Sequence, residues 1–384
     1  MRIAFDAKRA FQNNTGLGHY SRTLISSLVQ EFPQHEYFLA APKITGMYTP
    51  PAGNVHLIAP TSGLARTFKS LWRSNWVKSD LQKLGIDLYH GLSHEIPAGI
   101  QHTGIKTVVT MHDLIFERYP RQYKPIDVAI YRKKFRYACT HADKVIAISQ
   151  QTKQDLIDYY HTPAEKIEVC YQACNPIFGH LHTEEEKKNI RKKYNLPDSY
   201  FLYVGTIIER KNLLNICQAL HSLRTDIPLV VIGGGSEKDA YYKSVREYVR
   251  NNGLDRKVIF MADNPTAQTD NGFKTATDFP AIYQSALAMI YPSVFEGFGI
   301  PVLEALWSHT PVITSNISCL PETGGDAALY IDPYNYEDIA AAMQRIAGDE
   351  QLRKSMTEKG IAHARKFTAQ ACAANVMAVY QSLF

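Results

Sequence analysis

The sequence predicts an α/β protein of two doubly wound, Rossmann-like domains that face a central cleft, and three observations lead to this fold class. First, the chain has 384 residues, which is more than one ordinary hydrophobic core needs. Second, thirteen short apolar runs alternate with segments long enough for helices, a pattern typical of parallel sheets covered on both faces. Third, a charged stretch over residues 180–199 is poor in apolar residues and divides the series in two. The predicted domains are residues 1–180 and 181–384, with the C-terminal helix free to pack back on the first domain.

The apolar runs give the predicted strands of each domain in order. In the first half they are RIAFDA (2–7), EYFLAAP (36–42), NVHLIAP (54–60), DLYHGL (87–92), KTVVTMHDL (106–114), KVIAIS (144–149) and IEVCYQA (167–173). In the second half they are YFLYVGT (200–206), PLVVIGG (228–234), KVIFMA (257–262), ALAMIYPS (286–293), PVITSN (311–316) and ALYIDP (328–333). Open α/β sheets bind ligands at the carboxyl ends of their strands. The candidate functional loops therefore follow residues 7, 112, 206 and 293.

Charge and composition narrow the class of protein. The net charge is +5, with 21 Lys and Arg against 14 Asp and Glu in residues 1–180 and 21 against 23 in residues 181–384. A basic first half favours an anionic partner, although an ordinary surface imbalance gives the same numbers. Nucleic acid is not expected, because no recognition motif accompanies the charge. The sequence has no membrane-spanning apolar run, no signal-peptide pattern and six cysteines without a C-x-x-C pair, so we expect a cytoplasmic protein.

Two glycines follow the first predicted strand. Gly16 and Gly18, in NNTGLGHYSRTL, precede a predicted helix with apolar positions at Leu24 and Leu28. Glycine lets the backbone approach a ligand, and a helix N-terminus favours anionic groups. The dinucleotide fingerprint needs a third glycine or alanine where this chain has Ser21, so a plain turn into the helix explains the pattern equally well.

Histidines follow two other predicted strands of the first half. His112 comes at a strand end, where a histidine can hydrogen-bond a substrate, transfer a proton or simply cap the next segment. His90 and His94 have the spacing of metal ligands, but they begin at a strand end rather than on a helix. We therefore expect no metal at this pair.

Arg210, Lys211 and Asn212 lie between a predicted strand and a predicted helix of the second half. Adjacent cations run against the dipole preference of a helix N-terminus, so they weaken the helix unless an anion lies between them. Phosphate is the natural candidate. A solvated surface pair is the alternative.

The stretch YPSVFEGFGIPVLEA, residues 291–305, places Glu296 and Glu304 eight positions apart around a turn. Pro301 fits the first turn of the helix that follows. Four backbone N–H groups are predicted to point together toward an anion, those of Gly297, Phe298, Gly299 and Ile300. Carboxylates on either side of a phosphate site suit a sugar nucleotide, in which a diphosphate joins the sugar hydroxyls to a ribose diol.

EGFGIPVLE and ERKN, with the N-terminal GLGHYSRTL and the HDL strand end in the same chain order, resemble a retaining GT-B glycosyltransferase of family 4, mannosyltransferase-like, over essentially the whole chain. The resemblance implies that Glu296 contacts hydroxyls of the donor sugar and that Glu304 contacts the ribose. It implies that Arg210 and Lys211 stabilise the diphosphate and that His112 lies near the anomeric carbon. The glycine loop would close over the diphosphate or the acceptor.

The resemblance also implies a reaction. A hexose of the mannose or glucose type would move from a GDP- or UDP-linked donor to a glycan or lipid-linked glycan, with retention. No D-x-D sequence occurs, and Arg210, Lys211 and the amides of 297–300 can stabilise the leaving group, so we expect neither a metal nor a cofactor. The alternatives are a GT-B-fold epimerase or sugar phosphorylase, a non-catalytic sugar-nucleotide-binding protein, and an NAD-dependent oxidoreductase, which would leave ERKN and EGFGIPVLE unexplained.

Two segments of the first half combine cations with aromatic residues. Residues 66–85 place five cations around Leu71, Trp72 and Trp76, and residues 121–138 place six around Tyr131, Phe135 and Tyr137. This composition is typical of a helix at an anionic membrane surface, and the resemblance implies acceptors carried on membrane lipids. Core aromatics beneath a solvated cationic face are the alternative. Peripheral contact with the inner face of the membrane is therefore a hypothesis.

Overall fold

The protein divides into two compact units in the computed structural model, which describes residues 1–223 and 225–384. Unit 1 comprises Met1–Ala173 and Phe367–Phe384, and unit 2 comprises Cys174–Lys366. Each unit is built on one parallel β-sheet with helices packed against it.

The described residues of unit 1 form a seven-stranded sheet in the order β3-β2-β1-β4-β5-β6-β7. Its strands are β1 (Arg2–Asp6), β2 (Glu36–Ala40), β3 (Val55–Ile58), β4 (Leu88–Gly91), β5 (Lys106–Met111), β6 (Lys144–Ala147) and β7 (Ile167–Val169). Its helices are α1 (Lys8–Gln12), α2 (Gly16–Glu31), α3 (Gly63–Thr67), α4 (Lys69–Leu71), α5 (Val77–Lys83), α6 (Ile115–Arg118), α7 (Pro125–His141) and α8 (Gln150–Tyr160), together with α19 (Ala369–Gln381) from the end of the chain. A π-helical turn, Trp72–Trp76, separates α4 from α5.

The described residues of unit 2 form a six-stranded parallel sheet in the order β10-β9-β8-β11-β12-β13. Its strands are β8 (Phe201–Val204), β9 (Leu229–Ile232), β10 (Val258–Phe260), β11 (Ala288–Tyr291), β12 (Val312–Ser315) and β13 (Ala328–Ile331). Its helices are α9 (Glu184–Lys193), α10 (Leu213–Leu223), α11 (Ala240–Asn251), α12 (Pro265–Thr269), α13 (Asn271–Lys274), α14 (Phe279–Gln284), α15 (Ile300–Trp307), α16 (Leu320–Gly324), α17 (Tyr336–Gly348) and α18 (Glu350–Ala364).

Every strand lies within one of the thirteen apolar runs, and the predicted class of two Rossmann-like α/β domains is confirmed. The runs are near-continuous because both faces of each sheet are covered. In β1, Ile3 and Phe5 enter one buried cluster and Ala4 enters another, as the alternation of side chains along a strand requires.

The last helix, α19, belongs to unit 1 and packs beside α2. Its apolar residues Val376 and Met377 join the same cluster as Ile3 and Phe5. The Tyr380 hydroxyl lies 2.5 Å from Nδ1 of the buried His90 on β4. The end of the chain therefore closes one face of the first sheet.

In each sheet the order in which the chain adds its strands reverses at one place. Strand order reverses between β1 and β4 in unit 1 and between β8 and β11 in unit 2. Loops leave the carboxyl ends of such a pair on opposite faces of the sheet, which opens a crevice between them. The loops after β8 and β11 contain the ERKN and EGFGIPVLE motifs.

Candidate active site

The ERKN and EGFGIPVLE motifs meet at the crevice of unit 2. The N–H of Val294 donates a hydrogen bond to the Arg210 carbonyl at 2.9 Å. Nδ2 of Asn212 donates to the carbonyls of Pro292, at 3.2 Å, and Pro333, at 2.6 Å. Asn212 has φ 61°, a left-handed conformation that asparagine adopts more readily than most residues. The loops after β8, β11 and β13 are thereby fixed to one another.

Arg210 and Glu296 form a buried ion pair. Nη1 of Arg210 lies 2.8 Å from Oε1 of Glu296 and also donates to the Phe295 carbonyl. The same Oε1 accepts hydrogen bonds from the hydroxyls of Tyr291, at 2.7 Å, and Ser293, at 2.9 Å. Burial by itself would raise the pKa of Glu296, but the charges of Lys211 and Arg210 bring it below the ordinary value. Glu296 is therefore an ionised carboxylate in a fixed orientation.

Lys211 is the second cation of this site. Its Nζ lies 5.4 Å from the ring centroid of Tyr291, within the range of a cation–π contact. A Cβ at Gly205 would lie 3.0 Å from this Nζ, so a larger residue after β8 would displace the Lys211 side chain. Burial, and then the neighbouring Arg210, lower the pKa of Lys211, while Glu296 and Glu304 oppose the shift.

Glu304 lies on α15 in a different environment. The Tyr283 hydroxyl donates to its Oε2 at 3.0 Å. Burial raises the pKa of Glu304 to about 7, although Tyr283 and Lys211 act in the opposite direction. The two glutamates of one motif thus differ in charge at neutral pH, since Glu296 is ionised and Glu304 is about half protonated.

The turn between the glutamates has the predicted strand–turn–helix form. Gly299 is the N-cap of α15 with φ 91°, and a Cβ there would lie 2.8 Å from Cδ2 of Leu320. Glycine is required both by this conformation and by this contact. Phe298 is buried, and its carbonyl accepts a hydrogen bond from the Thr323 hydroxyl. The roles of Gly297, Phe298, Gly299 and Ile300 as amide donors to a phosphate stay a prediction.

His112 lies in unit 1 directly after β5. Its Nε2–H donates to the Leu92 carbonyl at 2.9 Å, and its backbone N–H donates to Nε2 of His94 at 3.0 Å. The ring makes an edge contact with Tyr20, at 4.6 Å between centroids. Burial lowers the pKa of His112 to about 4, so the imidazole is neutral near pH 7. With Nε2 protonated, Nδ1 is the hydrogen-bond acceptor of this ring.

The other two histidines are held by unit 1 itself. His90 is buried between Thr110, whose Oγ1 lies 2.8 Å from Nε2, and Tyr380. The His94 ring stacks on Phe135 with centroids 4.5 Å apart. Within residues 1–223 and 225–384, no cluster of three or more His, Cys, Asp or Glu side chains is arranged to hold a metal ion.

The sequence predicted that Gly16 and Gly18 precede the helix, but both residues lie within it. The helix α2 begins at Gly16, because Oδ1 of Asn13 accepts the N–H groups of Thr15 and Gly18 and folds the chain into the first turn. A Cβ on Gly18 would lie 1.9 Å from the Asn13 carbonyl oxygen, whereas a Cβ on Gly16 would meet nothing within 4 Å. Glycine at position 18 is therefore required by the turn itself.

Only some of the side chains in the two basic segments, residues 66–85 and 121–138, are exposed to solvent. Trp72 and Phe135 are buried, and Arg73 is paired with Asp6 and Glu95. The π-helical turn interrupts residues 66–85, which are not one continuous helix. Apolar side chains exposed beside these cations are those of Leu64, Phe68, Leu71, Trp76, Ile126 and Ile130. None of the helices in the described part of the chain is long and apolar enough to cross a membrane.

Sequence reasoning missed the hydroxyls that hold the two glutamates. Tyr291 and Ser293 stand five and three positions before Glu296, so a polar residue at each place was a signal in the stretch itself. Tyr283 gave no such signal, because it reaches Glu304 from α14, a helix outside the motif.

Both halves of the chain match known protein families. Residues 185–363 match the family described as Glycosyl transferases group 1, and residues 15–176 match Glycosyltransferase Family 4. Together with the two Rossmann-like units, these matches define a glycosyltransferase of the GT-B fold class. Together the two matches span most of the chain, which is therefore a glycosyltransferase built from these two family domains.

Three similar proteins match all or most of the chain. O-antigen chain mannosyltransferase B of Escherichia coli is 28% identical over all of both chains. The serotype-specific mannosyltransferase WbdA of the same species is 27% identical over 73% of this chain, which spans about a third (34%) of that longer protein. Anabaena HepE, solved in complex with UDP-glucose, has a TM-score of 0.73 and 14% identity, with full coverage of both chains, and shares the fold.

Proposed function

We propose that this glycosyltransferase moves a mannosyl residue, or a hexose of the same type, from a nucleotide-diphosphate sugar to a glycan or lipid-linked glycan, with retention of configuration and without a metal. The main observation behind the proposal is the pair Arg210–Glu296 beside Lys211, at the crevice of the second sheet. A mannosyl donor is supported by the activities for which the two Escherichia coli relatives are named. GDP-mannose is therefore the first donor to test, with UDP-hexoses as the comparison.

The charged groups at the crevice of unit 2 would have separate tasks in this reaction. Arg210 and Lys211 would offset the negative charge that develops on the departing diphosphate, in a buried setting where such charges act strongly. Oε1 of Glu296 is already occupied by Arg210, Tyr291 and Ser293. Its other oxygen, Oε2, is proposed to accept a hydroxyl of the donor sugar.

Glu304 would hold the nucleotide end of the donor. Its Oε2 accepts from Tyr283, and no described residue donates to its Oε1. A carboxylate there can accept hydrogen bonds from the two hydroxyls of the ribose, the contact known from dinucleotide-binding folds. Because this contact is alike in the ground state and the transition state, it would contribute to affinity rather than to turnover.

Retention is proposed to proceed by attack on the same face from which the diphosphate departs. The leaving phosphate oxygen would accept the proton of the acceptor hydroxyl, so no covalent nucleophile is needed. His112 is neutral, and its Nδ1 would accept a hydrogen bond from a sugar hydroxyl near the anomeric carbon. The loop that contains Gly16 and Gly18 is proposed to contact the diphosphate or the acceptor.

The proposed location is the cytoplasm, with peripheral contact at the inner membrane face. The exposed Leu64, Phe68, Leu71 and Trp76, flanked by basic residues, support such a contact. The proposed membrane contact is therefore made by these exposed side chains of residues 64–76.

A transfer assay tests the proposed reaction. The enzyme is incubated with labelled GDP-mannose, UDP-glucose or NAD and a membrane extract as acceptor, and the anomeric configuration of the product is determined by NMR. Transfer with retention supports the proposal, whereas epimerised donor, phosphorolysis or hydride transfer would each assign a rival reaction. Arg210→Ala is the inactive control. A thermal-shift panel of nucleotides reports binding independently, since ligand at ~100 times Kd stabilises the folded state by ~2.7 kcal/mol.

A further inference from the structure

The crevice of the first sheet contains its own group of charges. The chain leaves β1 at Asp6 and passes through Lys8 and Arg9 on α1, while the neighbouring β4 leads into His94 and Glu95. Strand order reverses between β1 and β4, so these residues surround the place where an open α/β sheet binds ligands. The cations lie here at the same topological position in unit 1 as Arg210 and Lys211 in unit 2.

The two carboxylates of this group are already paired. Arg73, on the π-helical turn, donates from Nε to both oxygens of Asp6 at 3.0 Å and from Nη1 to Oε2 of Glu95 at 2.9 Å. Lys134 donates to the other Glu95 oxygen at 3.1 Å. Asp6 is buried, and its position is fixed by this bidentate contact. Both carboxylates are therefore already engaged by the side chains of Arg73 and Lys134.

Lys8 and Arg9 are the cations that remain. Within residues 1–223 and 225–384, neither side chain has a hydrogen-bond or ion-pair partner, and both are partly buried. Four cations, counting Arg73 and Lys134, stand against two carboxylates, a net charge of +2. Burial, and then the charges of Arg73 and Arg9, lower the pKa of Lys8, and the smaller opposing effects of Asp6 and Glu95 do not cancel this shift. Partly buried like charges are costly unless an anion joins them.

The group extends to the histidines after β4 and β5. The charge of Arg9 acts on both His94 and His112, lowering the pKa of each after the larger effect of burial. His112 is the residue near which the proposed reaction would take place. An anion between Lys8 and Arg9 would therefore lie close to the reacting sugar.

We propose that Lys8 and Arg9 form a subsite for a phosphate or diphosphate ester attached to the acceptor sugar. This inference rests on the proposed function and specifies its acceptor. Because the charge of Arg9 acts on His112, the phosphate is expected within one or two sugar units of the hydroxyl that is glycosylated. The enzyme would then act early on a phosphate-linked glycan, before a long chain has been built.

The source of that phosphate is indicated by the neighbouring segment. Arg73 belongs to the same stretch as the exposed apolar residues Leu64 and Phe68, whose exposed fractions are 68% and 53%. A lipid diphosphate has both parts, an anionic group and an apolar chain. A soluble sugar phosphate has only the first, and the test separates them.

Direct binding tests the subsite without turnover. The nucleotide site is first saturated with GDP, and the enzyme is then titrated calorimetrically with inorganic pyrophosphate or farnesyl diphosphate. We expect the double variant Lys8→Met, Arg9→Gln to weaken both probes about tenfold or more, as loss of charge-assisted hydrogen bonds predicts. The matched control is Lys83→Met, Arg121→Gln, two exposed cations of the same unit, which should bind like wild type.

Two outcomes would overturn the subsite. Equal affinity of wild type and the Lys8/Arg9 variant for pyrophosphate would show that no anion binds there. An equal loss of GDP affinity in that variant would assign the two cations to the donor diphosphate instead. Binding without any transferase activity would refute the proposed function and leave the subsite standing.

The farnesyl arm identifies the source. Tighter binding of farnesyl diphosphate than of pyrophosphate, lost in Leu64→Ser, Phe68→Ser, assigns a lipid diphosphate. Equal binding of the two probes retains the subsite and assigns a soluble sugar phosphate.

Discussion

Removing the Tyr283 hydroxyl should shift the pH dependence of donor binding. Glu304 has a pKa of about 7 with the Tyr283 hydrogen bond in place. A hydrogen bond to a charged group contributes about 1.5–3 kcal/mol and one pKa unit corresponds to ~1.4 kcal/mol, so Tyr283→Phe should raise this pKa by about one to two units. If the ribose requires the ionised carboxylate, donor affinity at pH 7 should fall about 5- to 50-fold, in proportion to the ionised fraction.

The sign of the effect follows from the charge of the group. A carboxyl with a raised pKa is protonated at low pH, so wild-type affinity should be about tenfold lower at pH 6 than at pH 8. Lys211 and Cys174 are the other titratable groups acting on or near Glu304. The pKa of Cys174 is raised well above its ordinary value by burial, so this thiol stays protonated over that range.

Isothermal titration calorimetry between pH 6 and pH 8 measures this directly with intact GDP-mannose. Its diphosphate is esterified at both ends, which removes the phosphate ionisation near pH 6 that would confuse a titration with GDP. Glu304→Gln should abolish the pH dependence. Tyr200→Phe removes a buried hydroxyl that donates to the Ile282 carbonyl and should leave the profile of wild type unchanged. A wild-type Kd that is constant from pH 6 to pH 8 would refute the reasoning.

Three further predictions concern the proposed site and surface. Lys211→Ala should reduce turnover by roughly 100-fold, as expected for a group that stabilises transition-state charge, while EDTA leaves the wild-type rate largely unchanged. Tyr291→Phe should lower kcat about tenfold with little change in KM, because it loosens Glu296 without removing the carboxylate. Leu64→Ser, Phe68→Ser should reduce co-sedimentation with anionic vesicles, and binding by wild type should fall as salt rises.

Each of these has a result that contradicts it. Loss of all activity on chelation, restored by manganese, would replace the metal-free mechanism. A Tyr291→Phe enzyme whose KM rises while kcat stays constant would assign Tyr291 to donor binding. Vesicle binding that depends on neither lipid charge nor salt would contradict a membrane role for the exposed apolar residues.

The strand positions and the fold class could be predicted from the sequence. A parallel strand covered on both faces is a continuous apolar run, so β11 and its neighbours are visible without any tertiary information. The beginning of α2 was placed too late, because the side chain of Asn13 folds Gly16 and Gly18 into the helix. Such a local contact competes with the general effect of glycine on helices.

The motif residues were also visible in the sequence, since charged residues and glycines directly after buried strands are conspicuous there. Their partners were not. Arg210 and Glu296 are 86 positions apart, and only the strand order β8-β11 makes them neighbours. The same holds for Arg73, which looked like a surface cation among aromatics and is instead paired with Asp6.

The two α/β domains, the positions of the candidate loops and the chemistry they could supply can be inferred from the amino-acid sequence. The charge states and the pairings depend on the three-dimensional arrangement of the chain. Glu296 and Glu304 are the same residue type in one motif, yet two cations keep the first ionised and burial keeps the second partly protonated. A pKa depends on the groups within a few ångströms in space, and those groups come from strands and helices far apart along the chain.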